Sequence, residues 1–168
     1  MESNINQEKT IGSICEAWWN ELKQGRAGAR ARLRRGGSIL DLLLEPQTHK
    51  LRYSLQSINA KVSADRIAVV AGILADIDSS SVLSFAHTLG SMSADISAIE
   101  PRMQKLLRIE WNDNEELLTQ MRRILPLINR AVNVGSLSEV LCRWNDTAKK
   151  QIAVEFYEAK SRKVGASK

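Results

Sequence analysis

Histidine and cysteine are nearly absent from this chain, two of each in 168 residues, and that scarcity removes most catalytic chemistry at the outset. Cys15 and Cys142 lie far apart with no histidine at metal-ligand spacing. They read as buried free thiols, so neither a zinc site nor a Cys–His nucleophile is expected. His49 and His87 have no carboxylate or cysteine partner at useful spacing. Glycine-rich phosphate loops and the G-x-S-x-G elbow are missing too. Asp76 and Asp78, in the run DIDSSS, lack further ligands in sequence and read as a solvated loop. Glu115-Glu116 sits where a helix N-terminus favours negative charge, which explains it without catalysis. No catalytic residue, cofactor or metal is expected, and the chain reads as a non-enzyme.

Other absences bound the setting. No apolar run approaches the roughly 20 residues a membrane helix needs, and MESNINQEKT lacks the basic-then-apolar layout of a signal peptide. The cytoplasm is the expected location, with no membrane partner. Strand-length alternation and Asn-Gly or Asp-Gly turns are missing as well, which leaves helical periodicity throughout. The expected fold is all-α, a two-lobed helical bundle of about eight or nine helices.

Periodicity is clearest over 113–130, where Leu117, Leu118, Met121, Ile124, Leu125 and Ile128 fall within roughly 120° of arc. Arg123 and Arg130 lie opposite that stripe, and Arg122 sits at its shoulder. Pro126 is expected to kink this helix or end its regular bonding near residue 125. The preceding segment opens at Pro101, read as a first-turn proline. Its stripe carries Ile99, Met103, Leu106 and Leu107, with Arg102, Lys105 and Arg108 on the other side. Asn112 with Glu115 reads as the next N-cap and its capping-box partner. Arg143 points away from a face formed by Leu137, Val140, Leu141 and Trp144. The last helix begins at Asn145 or Asp146, carries Lys149 and Lys150, and has a second apolar patch at Val154 and Tyr157. Upstream, Thr10 is a candidate N-cap and the Trp18-Trp19 pair a core anchor.

Residues 25–37, GRAGARARLRRGG, hold five arginines and no acid. In a helix, Arg26, Arg30 and Arg34 project within about 80° of one another, with Arg32 and Arg35 beside them. Leu33 is the segment's only large apolar residue, so it contributes little to a core. A solvated face usually mixes signs, which makes this segment a candidate anion binder. The net charge of +5 points the same way. Fourteen of the 24 basic residues are arginine, the side chain that grips phosphate through a planar fork. Aromatics make up only 5% of the chain and most lie on expected core faces, so base stacking has little support. Tracking of phosphates is the expected mode, blind to sequence and sensitive to salt.

These residues, in order, resemble the small subunit of the type I-E CRISPR Cascade complex, the CasB family. The resemblance rests on Ala17-Trp18-Trp19 with Leu22, on Arg30 through Leu33-Arg34-Arg35, and on Leu89-Gly90. It continues through Arg102-x-x-x-Leu106-Leu107-Arg108, Leu118-x-x-Met121-Arg122-Arg123 and Val132-Asn133-Val134. It ends with Leu141-x-x-Trp144, Lys149-Lys150 and Phe156-Tyr157. The match is dense at 14–35 and 98–157 and weak at 46–80. Lys149-Lys150 stands where the family more often has arginine, which disfavours a bidentate contact there.

The resemblance implies a helical protein that is not itself a nuclease, present as two copies in an RNA-guided complex. There it would hold the CRISPR RNA–target DNA duplex and the displaced strand, alongside other Cascade subunits. The candidate nucleic-acid-binding residues are Arg26, Arg30, Arg34, Arg35, Arg102, Lys105, Arg108, Arg122, Arg123, Arg130, Arg143, Lys149 and Lys150. The expected organisation is an N-terminal lobe at 1–95, a C-terminal lobe at 96–160 and a basic disordered tail at 161–168, with 91–98 as linker. An independent nucleic-acid-binding regulator and a helical scaffold with merely solvated charges are the alternatives. No tight helix–turn–helix pattern favours the first of these.

Overall fold

Thr10 caps the first helix reciprocally: its hydroxyl accepts from Ser13 N at 3.1 Å, and Ser13 Oγ accepts from Thr10 N at 2.9 Å. The structure, a computed structural model, describes residues 8–92 and 96–166. Among them, α1 (Ile11–Gly25), α2 (Ala27–Arg35), α3 (Ile39–Leu43), α4 (Pro46–Gln56) and α5 (Ala64–Ala75) come first. Then follow α6 (Phe85–Ser91), α7 (Ile96–Leu107), α8 (Asn114–Ile124), α9 (Val134–Arg143) and α10 (Asp146–Ala166). Two-residue strands, β1 (Ser79–Ser80) and β2 (Ala131–Val132), pair in parallel. The fold is an all-α bundle. No helix among the described residues is long and apolar enough to cross a membrane.

Helix α5 is the element the others pack around. Every residue from Arg66 to Ile77 is buried, and α2, α3, α4, α8 and α9 all lie against it. Each aliphatic side chain so buried contributes roughly 1.5–3 kcal/mol, more than any exposed ion pair here can. Trp18 and Trp19 are core anchors, and their indole N–H groups donate to Gln47 O at 2.9 Å and Ile77 O at 3.3 Å. Helix α1 packs closely on α9, where Gly12 N donates to Glu139 Oε1 at 2.9 Å. That packing makes neighbours of the two free thiols. Their hydrogen bond lowers the Cys15 pKa, while the same bond and burial push Cys142 up. Helix α6 packs on α10 with Gly90 against the backbone of Phe156. One buried cluster runs from Ile14 to Phe156, so helices from both sides of residue 95 share it.

Several elements differ from expectation. Helix α7 starts at Ile96, which places Pro101 inside it rather than in its first turn, at the loss of one i→i−4 bond. The α8 cap is Asp113, not Asn112: Asp113 Oδ1 accepts from Glu116 N at 3.2 Å. Helix α8 ends at Ile124, followed by a 3-10 turn over Leu125–Ile128, as Pro126 requires. Asn145 caps α10, with Oδ1 accepting from Ala148 N at 2.9 Å. Helix α10 then runs on to Ala166, through most of the segment expected as a tail. Residues 93–95 of the expected linker, 167–168 of that tail and 1–7 lie outside the described residues.

Candidate nucleic-acid interface

The thirteen candidate cations divide by where their charged heads go. Asp76, at the C-terminus of α5, is 6% exposed, and the expected solvated loop is instead the hub of an ion cluster. Arg122 Nε lies 2.8 Å from Asp76 Oδ2. Its Nη2 donates to Leu33 O at 2.8 Å, and its Nη1 donates to Gly36 O. Arg34 Nε and Arg130 Nη1 approach Asp76 Oδ1 at 3.4 and 3.5 Å. Arg30 Nη2 pairs with Asp78 Oδ1 at 2.8 Å and also donates to Ile77 O at 2.9 Å. Four guanidinium groups thus face two carboxylates, an excess of two positive charges at the junction of α2, α5 and α8.

Local backbone sets this arrangement. Gly72 leaves the space that the Arg122 head fills: a Cβ there would stand 2.9 Å from Leu42 Cδ1 and 3.3 Å from Arg122 Nη2. Asn129 and Arg130 both take positive φ, 54° and 53°, so Arg130 is not on the outer face of a continuous 113–130 helix. The turn reverses the chain into β2, where Arg130 O accepts from Asp78 N at 2.9 Å. A non-glycine residue there is strained by roughly 1–2 kcal/mol, offset by the ladder and the aspartate contact.

The arginine-rich segment is therefore less uncompensated than its composition suggests. Arg32 adds a two-point contact to buried Glu45, at 2.7 and 3.2 Å, which raises its pKa. Of the five arginines at 25–37, Arg26 and Arg35 are exposed without an ion pair among the described residues. Arg26 precedes α2 with φ −132° and ψ 43°, so it does not share the helical face of Arg30 and Arg34.

The second group lies along α7 and the turn after it, α8, the end of α9 and the start of α10. Arg102, Arg108, Arg123 and Lys150 are exposed, and none of their side chains forms an ion pair or hydrogen bond among the described residues. Lys105 approaches Glu116 at 3.6 Å, bridging α7 to α8. Arg143 pairs with Glu139 one turn back at 3.1 Å. Lys149 reaches across to Ile109 O at 2.6 Å, bringing the first turn of α10 to the α7–α8 turn beside Arg108.

Arg66, in the weakly matching stretch 46–80, and Trp111 are not among the thirteen candidates. Arg66 is 6% exposed without a carboxylate partner, and desolvation lowers its pKa. Its Nε donates to Asn114 Oδ1 at 2.6 Å, Nη1 to Leu141 O at 2.8 Å and Nη2 to Trp111 O. It ties the α7–α8 turn to α5 and α9. An arginine two residues into so apolar a helix was the signal available.

Fold and surface together define an all-α protein that carries exposed cations on the α7–α8 hairpin, at the start of α10 and on α2, among other places. Residues 29–157 match the model of the family described as CRISPR-associated protein Cse2. The chain belongs to that family, as its resemblance to the Cascade small subunit led one to expect. The match begins within α2, so Trp18 and Trp19 lie outside it. Among solved structures, a chain of E. coli Cascade bound to a PAM-containing dsDNA target shares the fold, with a TM-score of 0.66 at 16% identity. The alignment covers 88% of this chain and 97% of that one. No curated protein matches.

Proposed function

We propose that this chain is a non-catalytic subunit of a type I-E CRISPR surveillance complex, acting in the cytoplasm in antiviral defence. It holds the guide RNA–target DNA duplex and the displaced DNA strand by contact with their phosphates. The observation that carries this reading is the set of exposed, unpaired cations Arg102, Arg108, Arg123 and Lys150 around the α7–α8 hairpin. Charges left without acidic partners repel one another unless an anion joins them. Arg35 and Arg26 extend this set onto α2. Base pairing supplies the sequence specificity, so shape and charge suffice from the protein. The cluster around Asp76 contributes positive potential, while Arg30 and Arg122 act chiefly as internal ties. Two copies within the complex, and subunit contacts through Val154 and Tyr157 (56% and 43% exposed), complete the proposal.

The test is to purify the chain with its genomic neighbours and a CRISPR RNA, then compare it with the Arg102→Ala, Arg108→Ala, Arg123→Ala triple variant. The variant should assemble normally and retain target and displaced strands about tenfold less well, with a shallower dependence on salt. Unchanged retention across the salt series would overturn the reading.

A further inference from the structure

Trp111 is 70% exposed, whereas Trp18, Trp19 and Trp144 are buried at 5%, 4% and 1%. Those three indole N–H groups each donate to a backbone carbonyl: Gln47 O, Ile77 O and Ile109 O. Among the described residues the Trp111 indole donates to none. The contrast extends to the backbone that carries it. Asp113 N donates to Glu110 O at 3.2 Å, which closes a turn with Trp111 at its first corner. Ile109 O accepts both Trp144 Nε1 at 3.1 Å and Lys149 Nζ, and Trp111 O accepts from buried Arg66. A large apolar ring is thus held out to solvent on a turn pinned from three directions.

The surroundings select the occupant. Arg108 stands three residues before Trp111, Lys149 reaches in from α10 to Ile109 O, and the exposed Lys150 follows it in the chain. Asp113 is turned back to cap α8, but Glu110, the residue before Trp111, is exposed. A phosphate avoids Glu110 and is drawn to the flanking cations, so what meets the tip is the uncharged face of a base. We propose that Trp111 is a stacking platform for one unpaired nucleobase of a single strand whose phosphates lie on Arg108 and Lys150. This rests on the nucleic-acid reading above and adds to it a site of different chemistry, one that responds to the base and not to salt.

The experiment titrates the full-length chain with oligothymidylate at low salt, following tryptophan emission. Binding should quench emission from the one exposed indole. Trp111→Leu should abolish the quench and weaken binding about tenfold, with the salt slope unchanged because every cation is retained. Trp111→Phe should keep most of the affinity. If the wild-type chain binds and Trp111→Leu binds equally well, stacking is overturned while phosphate tracking stands. If Trp111→Leu binds the oligonucleotide normally but fails to enter the assembled complex, the ring is a protein contact and the proposal is wrong. Absence of wild-type binding even at low salt would overturn the nucleic-acid reading itself, and this site with it.

Discussion

Arg122 and Asp76 form an ion pair of 2.8 Å between α8 and the end of α5, 46 residues apart in sequence. The neighbouring Arg123 is exposed and unpaired. Two adjacent arginines of one motif therefore do different work. Arg122→Ala leaves a buried carboxylate with only the longer contacts from Arg34 and Arg130, and frees the carbonyls of Leu33 and Gly36. Removing one partner of such a pair costs about 3 kcal/mol. Arg123→Ala should stay within about 0.5 kcal/mol of wild type. Urea denaturation of the two variants, read as a shift in midpoint, checks the difference.

This division was not legible in sequence, and the reason is physical. Helical periodicity places Arg122 at the shoulder of a stripe, but whether its head turns in or out depends on Asp76, which tertiary packing supplies. Thr10, Asn145 and the break at Pro126 could be read because each is decided within a few residues, and the Trp18-Trp19 anchor because helical periodicity alone puts it on the apolar face. Arg130 could not, since it is the second of two consecutive positive-φ residues beyond that break. The segment at 25–37 looked uncompensated because Glu45, Asp76 and Asp78 come from outside it. The cations of Arg102, Arg108 and Lys150 were placed outward by periodicity alone, with nothing nearby to draw them in.

Exposed and internally paired cations should differ in how salt acts on their variants. Removing one phosphate-binding cation lowers the salt slope of single-strand binding by about 0.7. Arg108→Ala and Lys150→Ala should each show that change at nearly full stability. Arg30→Ala should leave the slope close to wild type and lower the thermal midpoint, because its head is engaged by Ala75 O, Ile77 O and Asp78. Binding isotherms at several salt concentrations, paired with melting curves, separate the two classes.

Gly90 sets the approach of α6 to α10. A Cβ there would stand 2.3 Å from Phe156 O and 2.9 Å from Ala159 Cβ, with backbone on one side that cannot swing away. Gly90→Ala should therefore destabilise the chain by about 1–3 kcal/mol despite alanine's better helix propensity. Gly25→Ala, where a Cβ meets nothing within 4 Å, is the matched control and should not share the loss. Thermal unfolding of the pair gives the answer.

Glu100 links α7 to α10 and makes stability depend on acid. Its carboxylate accepts from Lys160 Nζ and from Tyr157 Oη at 2.8 Å. These bonds, that from Lys160 foremost, hold its pKa below the ordinary glutamate value of 4.5. The folded state thus binds the proton less tightly than the unfolded chain does. The stabilisation is fully present above the unfolded value and is lost as pH falls through the folded one. Glu100→Gln keeps the shape but removes the charge, so it should be less stable than wild type at neutral pH. The gap should close below the ordinary glutamate range, where the wild-type carboxyl is protonated too. Midpoints of chemical unfolding for both proteins, measured from neutral pH down into the acid range, test this. A gap that stayed constant with pH would show that the ionised carboxylate contributes nothing to the α7–α10 contact.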